Sequence, residues 1–279
     1  QHRLPRRRLH RRMSEHSALP RPADVFDLTG RSAVVTGATG AFGEQAAYAL
    51  AAAGAHVTLA GGNTEKLDAV ADAIISGGGL ATIVGLRPST EADVERIIAA
   101  AVDGGRGLDI VVAGSGTNIP GPIVDQDPAD WDTVMDVNVR QSWLLCRAAG
   151  KVMIPQGRGG KVILMSSTRG QLGLANYTAY CPSKAAVDLL TKALAVEWGP
   201  HRINVNAIAP TVFRSDLTAW MYADEGNGPT VRENMLRRIP LGRLGEPTDF
   251  HGAVQLLASS ASDFMTGSIV YLDGGYTAG

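Results

Sequence analysis

The chain has 279 residues, 45% of them hydrophobic and 19% charged, with a formal net charge of -1, enough for one large α/β domain with a substantial core. No run of about 18 apolar residues occurs, so no segment has the length and character of a spanning helix. Removing the six arginines of the first twelve residues takes the net charge from -1 to -7, which argues against nucleic acid as the main partner, because neutralising phosphates needs a basic surface.

Those arginines, Arg3, Arg6, Arg7, Arg8, Arg11 and Arg12, stand without an acid among them and precede Met13. They could belong to a targeting peptide or a nucleic-acid arm, but Pro5 interrupts any helix and only Leu4 and Leu9 are bulky and apolar. The reading preferred is an over-extended start, so residues 1–24 are taken as a disordered or non-native extension and 25–279 as the folded domain. Cys146 and Cys181 have no partners at metal-ligand spacing, which fits a reducing, cytoplasmic compartment and no metal site.

From Arg31 onward, β-branched runs alternate with Ala-rich stretches of helical period, the pattern of βαβ units around a parallel sheet. Strands are expected at 32–36, 56–60, 81–85, 109–113, 161–165, 202–207 and 268–272, and helices at 44–53, 64–75, 92–102, 131–153, 179–198 and 247–257. Gly54, Gly77 and Gly199 stand where helix ends would favour a positive φ. The expected fold is therefore a single doubly wound Rossmann domain, its seven-stranded parallel sheet flanked by helices. The stretch 211–241, with Arg214, Trp220, Met221 and Tyr222, reads as irregular and as a cover over a ligand.

The first strand runs into Thr36-Gly37-Ala38-Thr39-Gly40-Ala41-Phe42-Gly43 and then a helix. A glycine turn between strand and helix lets backbone N–H groups and the helix dipole face a pyrophosphate. No Gly-Lys-Ser/Thr follows, which separates it from the phosphate loop of nucleoside triphosphatases. Further on, Tyr180 and Lys184 lie four apart at a helix start, on one face, so an ammonium can sit near the phenol and bring it towards acid/base use. Ser166 and Ser167 end the preceding strand, at the carboxyl edge where doubly wound sheets bind ligands.

The glycine turn, Asn138 in Asp-Val-Asn-Val, Ser167, Tyr180-Cys-Pro-Ser-Lys184, the Asn204–Pro210 run and the closing Tyr271-Leu272-Asp273-Gly274-Gly275 together resemble the short-chain dehydrogenase/reductase family from about Phe26 to Gly279. The resemblance implies an oxidoreductase that interconverts a secondary alcohol and a ketone with NAD or NADP. Tyr180 would be the general acid or base, Lys184 would lower its pKa and hold the nicotinamide ribose, Ser167 would orient the substrate oxygen, and Asn138 would support a water linking Lys184 to solvent. It also implies cofactor contacts from Gly37, Thr39, Gly40, Phe42, Gly43, Gly61, Gly62, Arg87, Pro88, Ala113, Gly114, Tyr180, Lys184, Phe213 and Ser215, and a homotetramer built on the helices at 131–153 and 179–198.

Three departures from the family pattern matter. A family glycine falls on Ala41, which requires negative φ there. The usual Asn-Asn-Ala-Gly reads Ala113-Gly114-Ser115-Gly116. Gly61-Gly62-Asn63 replaces the usual acid after the second strand and Arg87 replaces an aspartate, which leans the cofactor towards NADP. Phe26-Asp27-Leu28-Thr29-Gly30 and Arg214-Ser215-Asp216-Leu217-Thr218 resemble gluconate 5-dehydrogenases and related sugar-acid or polyol enzymes. The rivals are a 3-oxoacyl carrier-protein reductase and, from another class, a nucleotide-binding sensor or scaffold without turnover.

Overall fold

The computed structural model describes residues 21–223 and 226–279; the expected extension at 1–24 lies outside the described residues as far as residue 20. Residues 21–24 do not stay outside the fold, because a short helix, α1 (Pro22–Phe26), starts there and the Ser260 hydroxyl holds its Val25 carbonyl at 2.9 Å.

Seven parallel strands form one sheet in the order β3-β2-β1-β4-β5-β6-β7: β1 (Ser32–Thr36), β2 (His56–Ala60), β3 (Leu80–Val84), β4 (Ile110–Ala113), β5 (Gly160–Met165), β6 (Ile203–Pro210) and β7 (Ile269–Leu272). Every residue of β1 is buried, as expected of a strand covered on both faces. Alternate side chains serve two cores. Ala33, Val35, Val57, Leu59, Ile110, Val112 and Ile163 face α2 (Ala41–Ala52), α3 (Thr64–Ser76) and α9 (His251–Ala258). Val34, Val111, Val162, Leu164, Val205 and Ala207 face α4 (Glu91–Val102), α6 (Gln141–Gln156) and α7 (Tyr180–Trp198).

The strand order reverses between β1 and β4, whose Thr36 and Ala113 pair in register. Gly37 and Gly114 therefore open a crevice at the carboxyl edge of the sheet.

Several expectations are corrected. The helix at 131–153 is two helices, α5 (Pro128–Met135) and α6, joined by a π-type turn over Asp136–Arg140. Asp127 caps its start by accepting from Ala129 N, one residue before Pro128, so the helix begins earlier than its apolar period. Of the three glycines assigned positive φ, only Gly54 has it, at +99°. Gly77 has φ -79° and hands the left-handed position to Gly78, while Gly199 stays right-handed at -51° and Arg202 takes φ +60°. β6 continues to Pro210 because Ile208, Ala209 and Pro210 still have Val270, Tyr271 and Leu272 alongside, and an imide N at the last position costs no ladder bond within the strand.

The cover at 211–241 is not irregular throughout. It contains a 3-10 helix, Asp216–Tyr222, and α8 (Gly228–Leu236). Its Met221 and Ile239 pack with Leu244 and Tyr276 in a small third core.

Candidate active site

The glycine turn is built for close backbone approach. Gly37 has φ +62°, and a Cβ there would stand 2.7 Å from the Gly114 backbone, while one on Gly43 would run into the Gly37 carbonyl. Ala41 is accommodated because it opens α2 with right-handed geometry, and Gly40 before it is extended, at φ -91° and ψ 159°. Loss of the amides at 113 and 114 has a matching consequence: Gly114 lets the end of β4 rest directly on Thr36 and Gly43.

The first three sheet helices differ at their starts. Asn63 caps α3 by accepting from Lys66 N at 3.0 Å, and Thr90 caps α4 with a full capping box closed by Asp93. No side chain caps α2. Its first N–H groups are thus the ones left for an anion, with the helix dipole behind them. A dinucleotide pyrophosphate fits these residues.

Beyond β2, Gly61 lies beside Thr39, and Gly62 lies directly under the Arg87 side chain, leaving no room for a Cβ. Arg87 is exposed and Pro88, next to it, is buried. Phe42 and Phe213 meet each other, with ring centroids 5.2 Å apart, and Phe42 also packs on Phe250 at 5.1 Å. Their rings are core, so what they can offer a cofactor is backbone. The Ser215 hydroxyl is engaged with Thr218 Oγ1, 3.2 Å away, at the start of the 3-10 helix.

At the other end of the crevice the polar groups are buried. Tyr180 is the first residue of α7, and Pro182 falls in its first turn, where an absent N–H leaves no bond unmade. Lys184, one turn on, donates from Nζ to the Met165 carbonyl at 2.8 Å and sits 5.5 Å from the Tyr180 ring centroid. The lysine was expected to act on the phenol; here its head is tied to β5 and lies over the ring face. Burial raises the Tyr180 pKa, and the groups that draw it down are the Ser167 hydroxyl and the Arg169 charge. Burial also lowers Lys184 from 10.5 to about 8, with the Asp188 carboxylate opposing the shift.

Ser167 Oγ accepts from Arg169 N at 3.2 Å and reaches the Pro210 carbonyl at 3.4 Å. Asn138 lies in the π-type turn, a local widening often found at functional sites. Its amide accepts from Thr117 N at 2.8 Å and donates to Thr117 O and Ser183 Oγ, both at 2.9 Å. Ser183 in turn donates to the Tyr180 carbonyl at 2.7 Å. Asn138 so ties the loop after β4 to the helix that carries Tyr180.

Two residues of this neighbourhood are absent from the sequence reading. Arg169, two positions after Ser167, is buried and donates from Nη2 to the Tyr276 hydroxyl at 2.9 Å. Tyr276, 1% exposed, joins the sheet edge to the cover. Nothing local marks either one: an arginine in a Thr-Arg-Gly turn looks like a surface residue until the cover folds over it.

A family profile described as "Enoyl-(Acyl carrier protein) reductase" matches residues 37–277. An uncharacterized oxidoreductase of Mycobacterium tuberculosis is 52% identical over 256 residues, spanning 91% of this chain and 93% of that one. The gluconate 5-dehydrogenase of Gluconobacter oxydans is 34% identical over 255 residues, 91% and 97% of the two chains. The crystal structure of a gluconate 5-dehydrogenase from Burkholderia cenocepacia, in complex with NADP and tartrate, superposes with a TM-score of 0.85 at 30% identity, covering 92% of this chain and 99% of that one. The chain belongs to the short-chain dehydrogenase/reductase family and is an oxidoreductase of that family. Among the described residues no helix is long and apolar enough to cross a membrane.

Proposed function

We propose that the protein interconverts a secondary alcohol and a ketone on a sugar acid, polyol or similar small polar substrate, using NADP in preference to NAD. The observation that carries this is the grouping of Ser167, Tyr180 and Lys184 at the carboxyl edge of the sheet, next to an uncapped, glycine-built helix start.

In this reading, Ser167 holds the substrate oxygen and Tyr180 gives it a proton in reduction or takes one in oxidation. Burial keeps the phenol protonated at neutral pH, which suits the acid role. Lys184 serves the Tyr180 helix face and the ribose, and Asn138 holds the loop and helix in register around them. A bound NAD(P) supplies or receives the hydride.

The preference for NADP rests on Arg87 over Gly62 and on the lack of a carboxylate at 61–63 that would repel a 2′-phosphate. The Burkholderia neighbour was crystallised with NADP. The two free cysteines, one buried and one half-buried, fit the cytoplasm. A homotetramer built on α5, α6 and α7 is supported by large apolar side chains those helices leave in water, Trp143 at 47%, Leu189 at 67% and Val196 at 81% exposure.

A second reading, reduction of the 3-oxo group of a 3-oxoacyl carrier-protein thioester, is supported by the 3-oxoacyl-[acyl-carrier-protein] reductase of Rickettsia felis, 33% identical over 251 residues. Turnover measured on sugar acids, polyols and 3-oxoacyl thioesters, each with both cofactors, separates the two. Sugar acids or polyols should give the highest kcat/KM. A clear preference for the thioesters overturns the proposal, and cofactor binding without turnover of any compound would make the chain a sensor or scaffold.

A further inference from the structure

Arg169 carries a charge in a place where charge is costly. It is 8% exposed, and among the described residues its hydrogen-bond partners are neutral: the Tyr276 hydroxyl at 2.9 Å and the Gly173 carbonyl at 3.5 Å. Its guanidinium lies 5.3 Å from the Tyr276 ring centroid, and Arg238 covers the same ring at 4.3 Å. A guanidinium has five N–H donors, so these two bonds leave most of the fork unspent.

The buried carboxylate of Asp109 shows what full compensation looks like in this fold. Asp109, whose side chain is 7% exposed, draws Arg31 at 3.2 Å and Arg158 at 3.0 Å. Arg169 has no such counterpart among the described residues, although a desolvated cation ordinarily has one.

Its place is functional. The Arg169 amide donates to Ser167 Oγ, and its charge is felt at the Tyr180 phenol. Tyr276 is held from behind, because Asp273 accepts from Gly275 N, Thr277 N and Thr277 Oγ1 and so locks the turn that presents it. Since the Tyr276 oxygen accepts from Arg169, its own proton is free to be donated. Arg169 and Tyr276 thus lie beside the candidate reacting groups, and among the described residues no carboxylate forms an ion pair with the guanidinium.

We infer that Arg169, supported by Tyr276, is a specificity residue that seats the carboxylate of an anionic hydroxy- or oxo-acid substrate while the reacting carbon lies at Ser167 and Tyr180. A planar guanidinium matches two carboxylate oxygens, and the Tyr276 hydroxyl can add a third bond. This rests on the dehydrogenase reading above and selects the acid over the neutral polyol within it.

The test uses the full chain loaded with NADP, with D-gluconate and the neutral polyol D-glucitol as probes. Calorimetry reads their binding, and steady-state kinetics reads kcat/KM. Arg169→Gln should weaken gluconate binding on the order of 100-fold and lower the gluconate-to-glucitol ratio of kcat/KM by a similar factor, with the loss in KM. Arg169→Lys should recover part of it. Tyr276→Phe, which keeps the ring and removes only the hydroxyl, should cost about tenfold in gluconate affinity and covers the case in which the arginine variants fail to fold.

Equal loss for both probes together with a displaced pH profile of kcat would mean that Arg169 acts only on Tyr180, and overturns the inference. Unchanged gluconate affinity in all three variants overturns it as well. If the wild-type protein turns over neutral alcohols alone, the sugar-acid reading fails; Arg169-dependent binding of gluconate as an unreactive ligand would still support the seat, and wild-type protein that binds no gluconate would end it.

Discussion

At the end of the crevice proposed to be catalytic, the polar groups are side chains in dry surroundings, held by one another: Asn138 on Thr117 and Ser183, Ser183 on the Tyr180 carbonyl, Lys184 on Met165. At the end proposed to hold the adenosine, the groups on offer are backbone N–H at an uncapped helix and one exposed arginine lying on a glycine. The first end can shift pKa values because burial penalises charge there. The second end, left in water, would recognise a cofactor by shape and by a screened charge. Substitutions at the two ends should therefore fail differently, the first in chemistry and pH dependence, the second in cofactor affinity.

The largest effect is expected at Tyr180. Tyr180→Phe should lower kcat roughly 10²- to 10⁴-fold, the range of general acid–base catalysis, followed by absorbance of the reduced cofactor. Because the phenol pKa is raised, alcohol oxidation by the wild-type protein should quicken as pH climbs from about 7 to 10. A flat profile would remove Tyr180 from the proton transfer.

Lys184 comes next. Its pKa is about 8 in the folded chain and 10.5 for an ordinary lysine, so between those values the unfolded chain binds more protons and stability rises with pH. Relative to Lys184→Met, the wild-type protein should gain up to about 3 kcal/mol across that window. Urea unfolding of both proteins through the alkaline range measures the gap, and parallel curves would show that the ammonium is not desolvated.

Gly37→Ala should cost about 1–3 kcal/mol in stability and weaken NADP binding. The residue has φ +62°, and its new methyl would meet the Gly114 backbone at 2.7 Å. A melting temperature equal to wild type would contradict this packing. The smallest effect belongs to Arg87→Ala, expected to raise KM for NADP roughly tenfold and to change KM for NAD less. If both cofactors suffer equally, the arginine stacks on adenine and does not read the phosphate.

Much of this arrangement is legible in the chain. The β-branched runs place all seven strands within a few residues, and β6 alone is misjudged by three, since the neighbouring β7 carries the ladder on to Pro210. Short pieces escape because their signals are weak. The 3-10 helix Asp216–Tyr222 and the nine-residue α8, which opens on Gly228 and Pro229, have too few turns for a period to show.

What the sequence by itself determines are features whose cause is local: strand and helix alternation from side-chain period, the glycine turn from its need for Cβ-free backbone, and the Tyr180 and Lys184 pair from helical spacing. Tertiary structure alone decides which polar groups lose their water. It ties Lys184 to Met165, opens the π-type turn at Asn138, and buries Arg169 against Tyr276, a partner 107 residues away. Desolvation depends on what packs from distant parts of the chain, and no local pattern encodes it.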